Sequence, residues 1–171
     1  MTLIVCPLSQ VHAVIAGRRP SHLVTLLDPA SLIETPAGVA PERHLKLGVN
    51  DIVEEIEGRF CPDEGSVRRI VAFAAGWNRA QPMLVHCWAG ISRSTATAFV
   101  MACERNPATP EIEIAQAMRR ASVHAHPNRR IVALADRLLG RGGRMIAAVE
   151  TIGPGDIVEE NHPFDLPARY G

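Results

Sequence analysis

The distribution of apolar and polar residues predicts strands mixed with helices in the first half of the chain and helices alone in the second. Short apolar runs bounded by polar residues, Pro or Gly are typical of buried strands, whereas apolar residues three or four positions apart are typical of helices. The predicted strands are residues 3–8, 22–28, 44–49 and 83–86. The predicted helices are a short one ending at Gly17 and residues 66–77, 92–104, 110–121, 128–139 and 145–149.

This order of elements predicts an α/β fold: a central, mostly parallel sheet flanked by helices, followed by a helical C-terminal half. Residues 1–152 are expected to form a single domain, because a chain of 171 residues can bury one sizeable core. The Pro- and Gly-rich tail, residues 153–171, is expected to dock on this domain through Phe164 and Leu166. Ser66 is expected to be the N-cap of the helix that it begins.

Composition and charge narrow the range of functions. The chain has 18 basic and 18 acidic residues and a formal net charge of zero, so no broad attraction to nucleic acid or anionic lipid is expected. No apolar run approaches the ~20 residues that span a bilayer, and the first residues lack the basic segment of a secretory signal. A cytoplasmic protein without membrane or nucleic-acid partners is expected. Its four cysteines show no CxxC spacing, which predicts free thiols rather than disulfides or a zinc site.

The stretch from His86 to Ser94 is the most informative part of the sequence. It follows a predicted strand, contains a single glycine, Gly90, and leads into a predicted helix. A loop that enters a helix points backbone N–H groups at a common centre, and the helix dipole adds positive potential there. The loop is therefore expected to bind an anion. The residues expected to surround that anion are Trp88, Ala89, Gly90, Ile91, Ser92 and Arg93.

Two side chains are expected to make this anion site reactive. The loop amides and a nearby guanidinium would favour the nucleophilic thiolate of Cys87. Arg93 follows after five intervening residues, enough for the loop to curl round a tetrahedral anion, and its planar guanidinium can bind two phosphate oxygens. Ser94 is expected to hydrogen-bond the sulfur and help it leave, and His86 to hold the loop backbone. Neither a metal nor an organic cofactor is expected, because thiolate and arginine do what a metal would otherwise do.

The pattern His-Cys-x5-Arg-Ser resembles the signature of the protein tyrosine phosphatase superfamily, and its interior, residues 89–94, is most similar to the dual-specificity and small bacterial members. The resemblance implies a phosphatase fold with the phosphate loop between the last central strand and a helix. It also implies hydrolysis of phosphate monoesters through a phosphocysteine intermediate. The implied substrate is phosphotyrosine in a protein, with dual specificity or a small aryl phosphate as alternatives. The loop contains no lysine of the kind that phosphoinositide-directed relatives often carry, and the sequence gives no indication of oligomeric state.

The resemblance further implies a carboxylic acid that protonates the leaving oxygen and later activates water. The segment 44–51 is similar to the family's strand that ends in the general-acid aspartate, which makes Asp51 the first candidate. Asp63, with Glu64 beside it, is the rival. His126-Pro127-Asn128 is similar to the Pro-Asn turn that packs behind the phosphate loop, which implies a supporting role for Asn128.

Two other functions use similar elements. A rhodanese-like sulfurtransferase also places a cysteine in an anion-binding loop, but that loop ordinarily lacks the Arg-Ser ending. A phosphatase-like module that binds phosphorylated partners without turnover is disfavoured by the intact Cys87 and Arg93. This second alternative stays open while the general acid is unassigned.

Overall fold

The computed structural model describes all residues from Met1 to Gly171 and has a five-stranded sheet at its centre. The strands are β1 (Thr2–Pro7), β2 (His22–Leu27), β3 (His44–Gly48), β4 (Met83–Cys87) and β5 (Phe164–Pro167). Their order in the sheet is β3-β2-β4-β1-β5. Strands β1 to β4 are parallel, and β5 pairs antiparallel with β1 at one edge.

Six α-helices cover the two faces of the sheet. They are α1 (Val11–Arg18), α2 (Glu64–Gly76), α3 (Arg93–Arg105), α4 (Glu111–Ala121), α5 (Arg129–Leu138) and α6 (Arg144–Ile152). Helix α1 buries a small apolar cluster against one face, and the main core lies between the other face and helices α2 to α6. The predicted α/β architecture with a mostly parallel sheet is confirmed. None of the helices is both long enough and apolar enough to cross a membrane.

The parallel strands were visible in the sequence because they are buried on both faces. In β1, Leu3 and Val5 pack into the main core, whereas Ile4 and Cys6 pack into the smaller cluster under α1. Strands buried on both sides appear as continuous apolar runs. Helix α3 lies at the centre of the helical layer, and its residues 93–103 are all buried.

The N-cap predicted for α2 is wrong. The helix begins at Glu64, and Asp63 is its N-cap, with the Asp63 carboxylate accepting hydrogen bonds from the backbone N–H and the hydroxyl of Ser66, both at 2.7 Å. Both residue types are good N-caps, but the carboxylate also carries the negative charge that a helix N-terminus favours. Asp63 therefore takes the cap, and Ser66 becomes its donor.

Strand β5 was not anticipated from the sequence. Its four residues alternate between buried Phe164 and Leu166 and exposed Asp165 and Pro167, and it pairs with Thr2 to Val5 of β1. Such a short strand, ending in a proline, has too few alternating positions to stand out from a Pro- and Gly-rich tail.

The carboxyl ends of the four parallel strands lie along one edge of the sheet. Pro7 and Cys87 are in register at this edge, Asp28 follows β2, and Asn50 and Asp51 come shortly after β3. Crevices at this edge are the usual location of binding sites in parallel α/β sheets.

Candidate active site

Strand β4 ends at Cys87, directly beneath the loop of residues 88–92, which leads into α3. We call residues 88–92 the phosphate loop. The Cys87 side chain is nearly enclosed, with the residue 2% exposed. Its sulfur lies 3.1 Å from the hydroxyl oxygen of Ser94, in the first turn of α3. The strand–loop–helix connection thus places a thiol and a hydrogen-bonding hydroxyl at the N-terminus of a buried helix, where the helix dipole favours negative charge.

Every carbonyl group of the phosphate loop is held by a donor from a neighbouring segment. Trp88 O accepts from Leu8 N (3.1 Å), Ala89 O from Asn161 N (2.9 Å), Gly90 O from Asn161 Nδ2 (3.1 Å), Ile91 O from His126 N (2.9 Å) and Ser92 O from Asn128 N (3.1 Å). No backbone N–H of residues 88–92 donates to an acceptor within the protein. With the carbonyls fixed from outside, the amides are left to surround an anion, as in other backbone anion sites.

Gly90 allows the phosphate loop to pack against the end of β1. It has a positive φ of 70°. A Cβ atom at this position would lie 2.7 Å from the backbone nitrogen of Pro7 and 2.8 Å from the carbonyl carbon of Cys6. Both the backbone conformation and the space therefore require glycine. Burial, and secondarily the neighbouring Cys87, raises the pKa of the Cys6 thiol to about 12, which keeps it neutral beneath the loop.

Arg93 is held at one end of its guanidinium group and unpartnered at the other. Its Nη1 donates to Asp28 Oδ1 at 3.0 Å and to the carbonyl of Val49 at 2.8 Å. The residue is 6% exposed, and its Nε is buried without a partner. An unpaired buried donor is costly unless a ligand satisfies it. The free Nε edge of the fork is suited to binding an oxyanion through two hydrogen bonds.

Asp51 and Asn128 meet at the end of the phosphate loop. Asp51 Oδ1 accepts from Ser92 Oγ at 2.7 Å and from Asn128 Nδ2 at 2.9 Å, whereas Asp51 Oδ2 has no partner in the protein. Asn128 is also the N-cap of α5, since its Oδ1 accepts from the N–H groups of Arg130 and Ile131. One carboxylate oxygen of Asp51 is thus anchored, and the other makes no contact with a donor of the protein.

A chain of hydrogen bonds runs from the phosphate loop across three strands. His86 Nδ1 lies 3.3 Å from the carbonyl oxygen of Cys87, and Thr25 Oγ1 lies 2.7 Å from His86 Nε2 and 2.8 Å from His44 Nε2. The far end is Thr35 Oγ1, 2.9 Å from His44 Nδ1. Burial lowers the pKa of both histidines to about 4, so both are neutral at neutral pH. His86 then donates from Nδ1 to Cys87 and accepts from Thr25 at Nε2, which fixes the end of β4.

Three solved structures share this architecture. The crystal structure of DUSP15 matches with a TM-score of 0.60 and 15% identity, over 86% of this chain and 88% of its own. That of PTPMT1 matches with a TM-score of 0.59 and 18% identity, over 83% and 94%. PTPMT1 in complex with PI(5)P gives 0.57 and 16% identity, over 81% and 90%. This chain has the protein tyrosine phosphatase fold.

At 15–18% identity the likeness to these structures concerns the fold alone. The sequence matches no protein-family model, and a search of curated proteins finds no significant relative. The chemistry that this site can perform therefore depends on its own residues and their geometry.

The rival acid candidates make their contacts elsewhere in the phosphatase fold. The Asp63 carboxylate caps α2, and its hydrogen bonds from the Ser66 side chain and backbone lower its pKa. A carboxylate held in its charged form is a poor proton donor. The neighbouring Glu64 is ion-paired with Arg68 one turn along α2. Asp51, by contrast, contacts the phosphate loop directly.

Two residues that contact the site were missed in the sequence analysis. Asp28 follows the buried strand β2 at the carboxyl edge of the sheet, and this position was a usable signal because polar residues there commonly face the site of an α/β protein. Asn161 is a tail residue, 4% exposed, that hydrogen-bonds two phosphate-loop carbonyls and accepts from Ser122 Oγ at 3.1 Å. Nothing in the sequence distinguishes Asn161 from any other polar residue in the tail.

Asn161→Ala is expected to weaken oxyanion binding and turnover together. The substitution leaves the Gly90 carbonyl without its donor, at a cost of roughly 1–3 kcal/mol that the phosphate loop can relieve only by moving. We expect kcat/KM for an aryl phosphate, and the affinity for tungstate, to fall about tenfold or more.

The matched control for Asn161 is Asn106→Ala. Asn106 is also buried and also holds the tail, through hydrogen bonds with Ala168 and Tyr170, but at the far end of α3. Thermal unfolding is expected to show a loss of stability in both variants, with tungstate affinity reduced only in Asn161→Ala. Equal tungstate affinities would show that Asn161 does not position the phosphate loop.

Proposed function

We propose that this protein is a cysteine-dependent phosphatase that hydrolyses phosphate monoesters through a phosphocysteine intermediate, with phosphotyrosine as the preferred group and dual specificity as the alternative. The observation that carries the proposal is the buried, unpartnered Nε of Arg93, at the start of the helix that follows Cys87 and a loop whose amides are free. The phosphatase fold of the chain and the resemblance of its loop to the superfamily signature support the same function.

In the first step, the phosphate binds to the loop amides and to the free edge of the Arg93 guanidinium. The Cys87 thiolate attacks phosphorus in line with the ester oxygen, the S–P bond forms and the P–O bond breaks. Asp51 gives its proton to the departing oxygen, because an alkoxide or phenoxide is a poor leaving group. The amides and Arg93 stabilise the charge on the three equatorial oxygens as the transition state forms.

In the second step, the Asp51 carboxylate takes a proton from water as that water attacks phosphorus. The S–P bond breaks, inorganic phosphate forms and the thiolate of Cys87 is regenerated. Ser94, 3.1 Å from the sulfur, donates a hydrogen bond that stabilises the leaving thiolate.

Asp51→Asn is expected to slow hydrolysis of alkyl phosphates by roughly 100-fold or more, the usual contribution of a general acid. Activated aryl phosphates such as 4-nitrophenyl phosphate should be slowed much less in the first step, because their leaving groups need little protonation. The measurement is kcat/KM for a series of leaving groups. Asp63→Asn is the control: asparagine is also a good N-cap, so the variant loses only the interaction of the charge with the helix N-terminus, about 0.3–1 kcal/mol, without changing the dependence on leaving group. A uniform loss across the series in Asp51→Asn would instead point to Asp63 or Glu64.

The function is tested by trapping the intermediate. The protein is mixed with 4-nitrophenyl phosphate in the presence of a reductant and a chelator, quenched in acid and digested, and the peptides are searched for a phosphoryl group. Phosphate release, with the label on the peptide that contains Cys87, is the expected result. A Cys61→Ser variant, which removes the one cysteine that is not buried, should behave in the same way. Phosphate release with no label on Cys87 would overturn the mechanism, and tight phosphate binding with no release would indicate a binding module.

A further inference from the structure

Exposed apolar side chains are concentrated around the phosphate loop. Seven of the ten exposed large hydrophobic residues lie in the loop or in segments beside it: Val53, Ile56, Phe60, Trp88, Val123, Ile157 and Val158. Trp88, within the loop itself, is 62% exposed. A set of exposed apolar residues gathered at one place is typical of a surface that binds a partner.

The first of these segments is residues 50–60, which we call the acidic loop. Its ends are joined by hydrogen bonds from Asn50 N to Phe60 O and from Phe60 N to Asn50 Oδ1, both at 2.8 Å. Asn128 Nδ2 also donates to Ile52 O at 3.2 Å, which holds the loop beside the site. A loop closed at its base and packed in this way is a compact Ω-loop. It carries four acidic residues and one arginine, so its formal net charge is −3.

The second segment is residues 156–160, which we call the tail strap. It is held on both sides, by the hydrogen bond from Asp156 N to Val123 O and by the bonds of the next residue, Asn161, to the phosphate loop. It contains three acidic residues and no basic ones. The tail strap thus resembles the acidic loop in chemistry, with exposed aliphatic side chains between carboxylates.

A groove of about 430 Å³ leads away from the phosphate loop at Ser92. Residues 51–54 and Ile56 of the acidic loop line one wall, and His126 to Arg129 line the other. Arg129 is the one arginine or lysine in the groove, facing two carboxylates of the acidic loop. Ser92 joins this groove to the phosphate loop, and the next residue in the chain is Arg93, whose Nε is buried and unpartnered. The groove is therefore suited to the residues that flank a phosphate bound at the loop, which would lie between its acidic and apolar walls.

We propose that the acidic loop and the tail strap bind a peptide in which the phosphorylated residue is flanked by basic and apolar residues. This inference rests on the proposed phosphatase function and names its substrate class. Cationic side chains beside the phosphate complement the carboxylates of both segments, and aliphatic ones cover the exposed Val53, Ile56 and Ile157. Complementary charge of this kind raises the encounter rate and rejects partners of the opposite sign.

The same charges disfavour polyanionic substrates. In the phosphate loop and the first turn of α3, the groups that can bind phosphate are the loop amides and the guanidinium of Arg93, and the groove adds one more guanidinium, that of Arg129. The carboxylates of Asp28 and Asp51 already lie beside Arg93 and Ser92. Additional phosphates, or the anionic surface of a bilayer, would meet these carboxylates and the two acidic segments. A phosphoinositide is therefore the substrate class that this surface rejects, although PTPMT1, of the same fold, is seen in complex with PI(5)P.

The test compares two phosphotyrosine peptides of the same length, one flanked by lysine and valine and one by glutamate and valine. Turnover is measured as kcat/KM at low and high salt, and affinity is measured with the Cys87→Ser variant so that the preference is recorded without chemistry. We expect the basic peptide to be preferred about tenfold or more at low salt, and less at high salt because ionic screening weakens exposed charge interactions.

Two double variants test whether the acidic loop causes the preference for the basic peptide. Glu54→Gln with Glu57→Gln changes the formal net charge of the acidic loop from −3 to −1 at two exposed residues whose side chains make no hydrogen bonds. The control, Glu42→Gln with Glu113→Gln, removes the same charge ahead of β3 and at the start of α4, away from the carboxyl edge of the sheet. The first variant should reduce the peptide preference several-fold with 4-nitrophenyl phosphate turnover unchanged, and the control should leave both unchanged.

Equal affinity for the two peptides, or a preference that survives in the acidic-loop variant, would overturn the inference. So would faster hydrolysis of PI(5)P in vesicles than of the basic peptide. Failure of the phosphatase function gives a different result: no turnover of 4-nitrophenyl phosphate, with the preference for the basic peptide still measurable by binding.

Discussion

Cys87→Ser is expected to reduce phosphate release by a factor on the order of 10⁴ or more, the scale of loss when a catalytic nucleophile is removed. A serine hydroxyl is protonated at neutral pH, and its nearest polar neighbour is the hydroxyl of Ser94, which cannot act as a strong base. A thiolate nucleophile, by contrast, needs no base to remove a proton during the attack. The measurement is phosphate release from 4-nitrophenyl phosphate with a reductant present.

Oxyanion binding should survive in Cys87→Ser. The donors for the anion are the loop amides and Arg93, and serine is small enough to fit the enclosed position of the cysteine. We expect the affinity for tungstate to stay within a few-fold of that of the wild type. Cys103→Ser is the matched control, since Cys103 is a buried thiol of α3 whose pKa is raised by burial. Its turnover should persist, and substantial turnover in Cys87→Ser would exclude the phosphocysteine mechanism.

The parts of this molecule that could be predicted from the sequence are those encoded by adjacent residues. The buried strands appear as apolar runs, and the phosphate loop is a continuous segment whose residue types and spacing carry its chemistry. Asp51 is predicted as the general acid through a resemblance of the segment around β3, and its carboxylate accepts a hydrogen bond from Ser92 in the structure. The N-cap of α2 was missed because Asp63 and Ser66 are both suitable caps and only the geometry decides between them.

The parts that could not be predicted depend on contacts between distant segments. Asn161 hydrogen-bonds Gly90, which lies 71 positions earlier, and Asp28 pairs with Arg93 across 65 positions. Asn161 has no local pattern that distinguishes it, and for Asp28 the one signal is its position directly after the buried strand β2. Strand β5 was missed for the same reason, because it forms by pairing with β1, which lies at the other end of the chain. A candidate anion-binding loop can thus be predicted from its own sequence, whereas the groups that hold it in shape become visible only in the fold.

The phosphate loop is held in place by hydrogen bonds from separate parts of the chain. Its five carbonyls are bonded to the segment after β1, to the turn before α5 and to the tail. Anion binding by backbone amides is effective only when they are oriented before the ligand arrives, since reorientation would consume binding free energy. The tail therefore helps to form the site, because Asn161 hydrogen-bonds the phosphate loop and β5 joins the central sheet.

Arg93→Lys is expected to lower kcat/KM by a factor on the order of 10³, because it removes donors aimed at the transition-state charge. The Nη1 atom of Arg93 is occupied by Asp28 and Val49, and the rest of the fork is left for phosphate. A lysine ammonium is a single point of charge that can satisfy Asp28 or reach the phosphate, but lacks the planar fork that does both. Tungstate affinity should fall with turnover, in contrast to Cys87→Ser.

The control for Arg93→Lys is Arg105→Lys at the other end of the same helix. Arg105 donates to the carbonyl of Ala75 and lies near Glu104, so this variant repeats the chemical change about 20 Å along α3. Tungstate affinity and kcat/KM should be unchanged in this control. Near-normal kinetics in Arg93→Lys would remove the guanidinium fork from the mechanism. Loss of turnover with tungstate affinity intact would mean that the amides alone bind the anion, and that Arg93 acts only after binding, on the transition state.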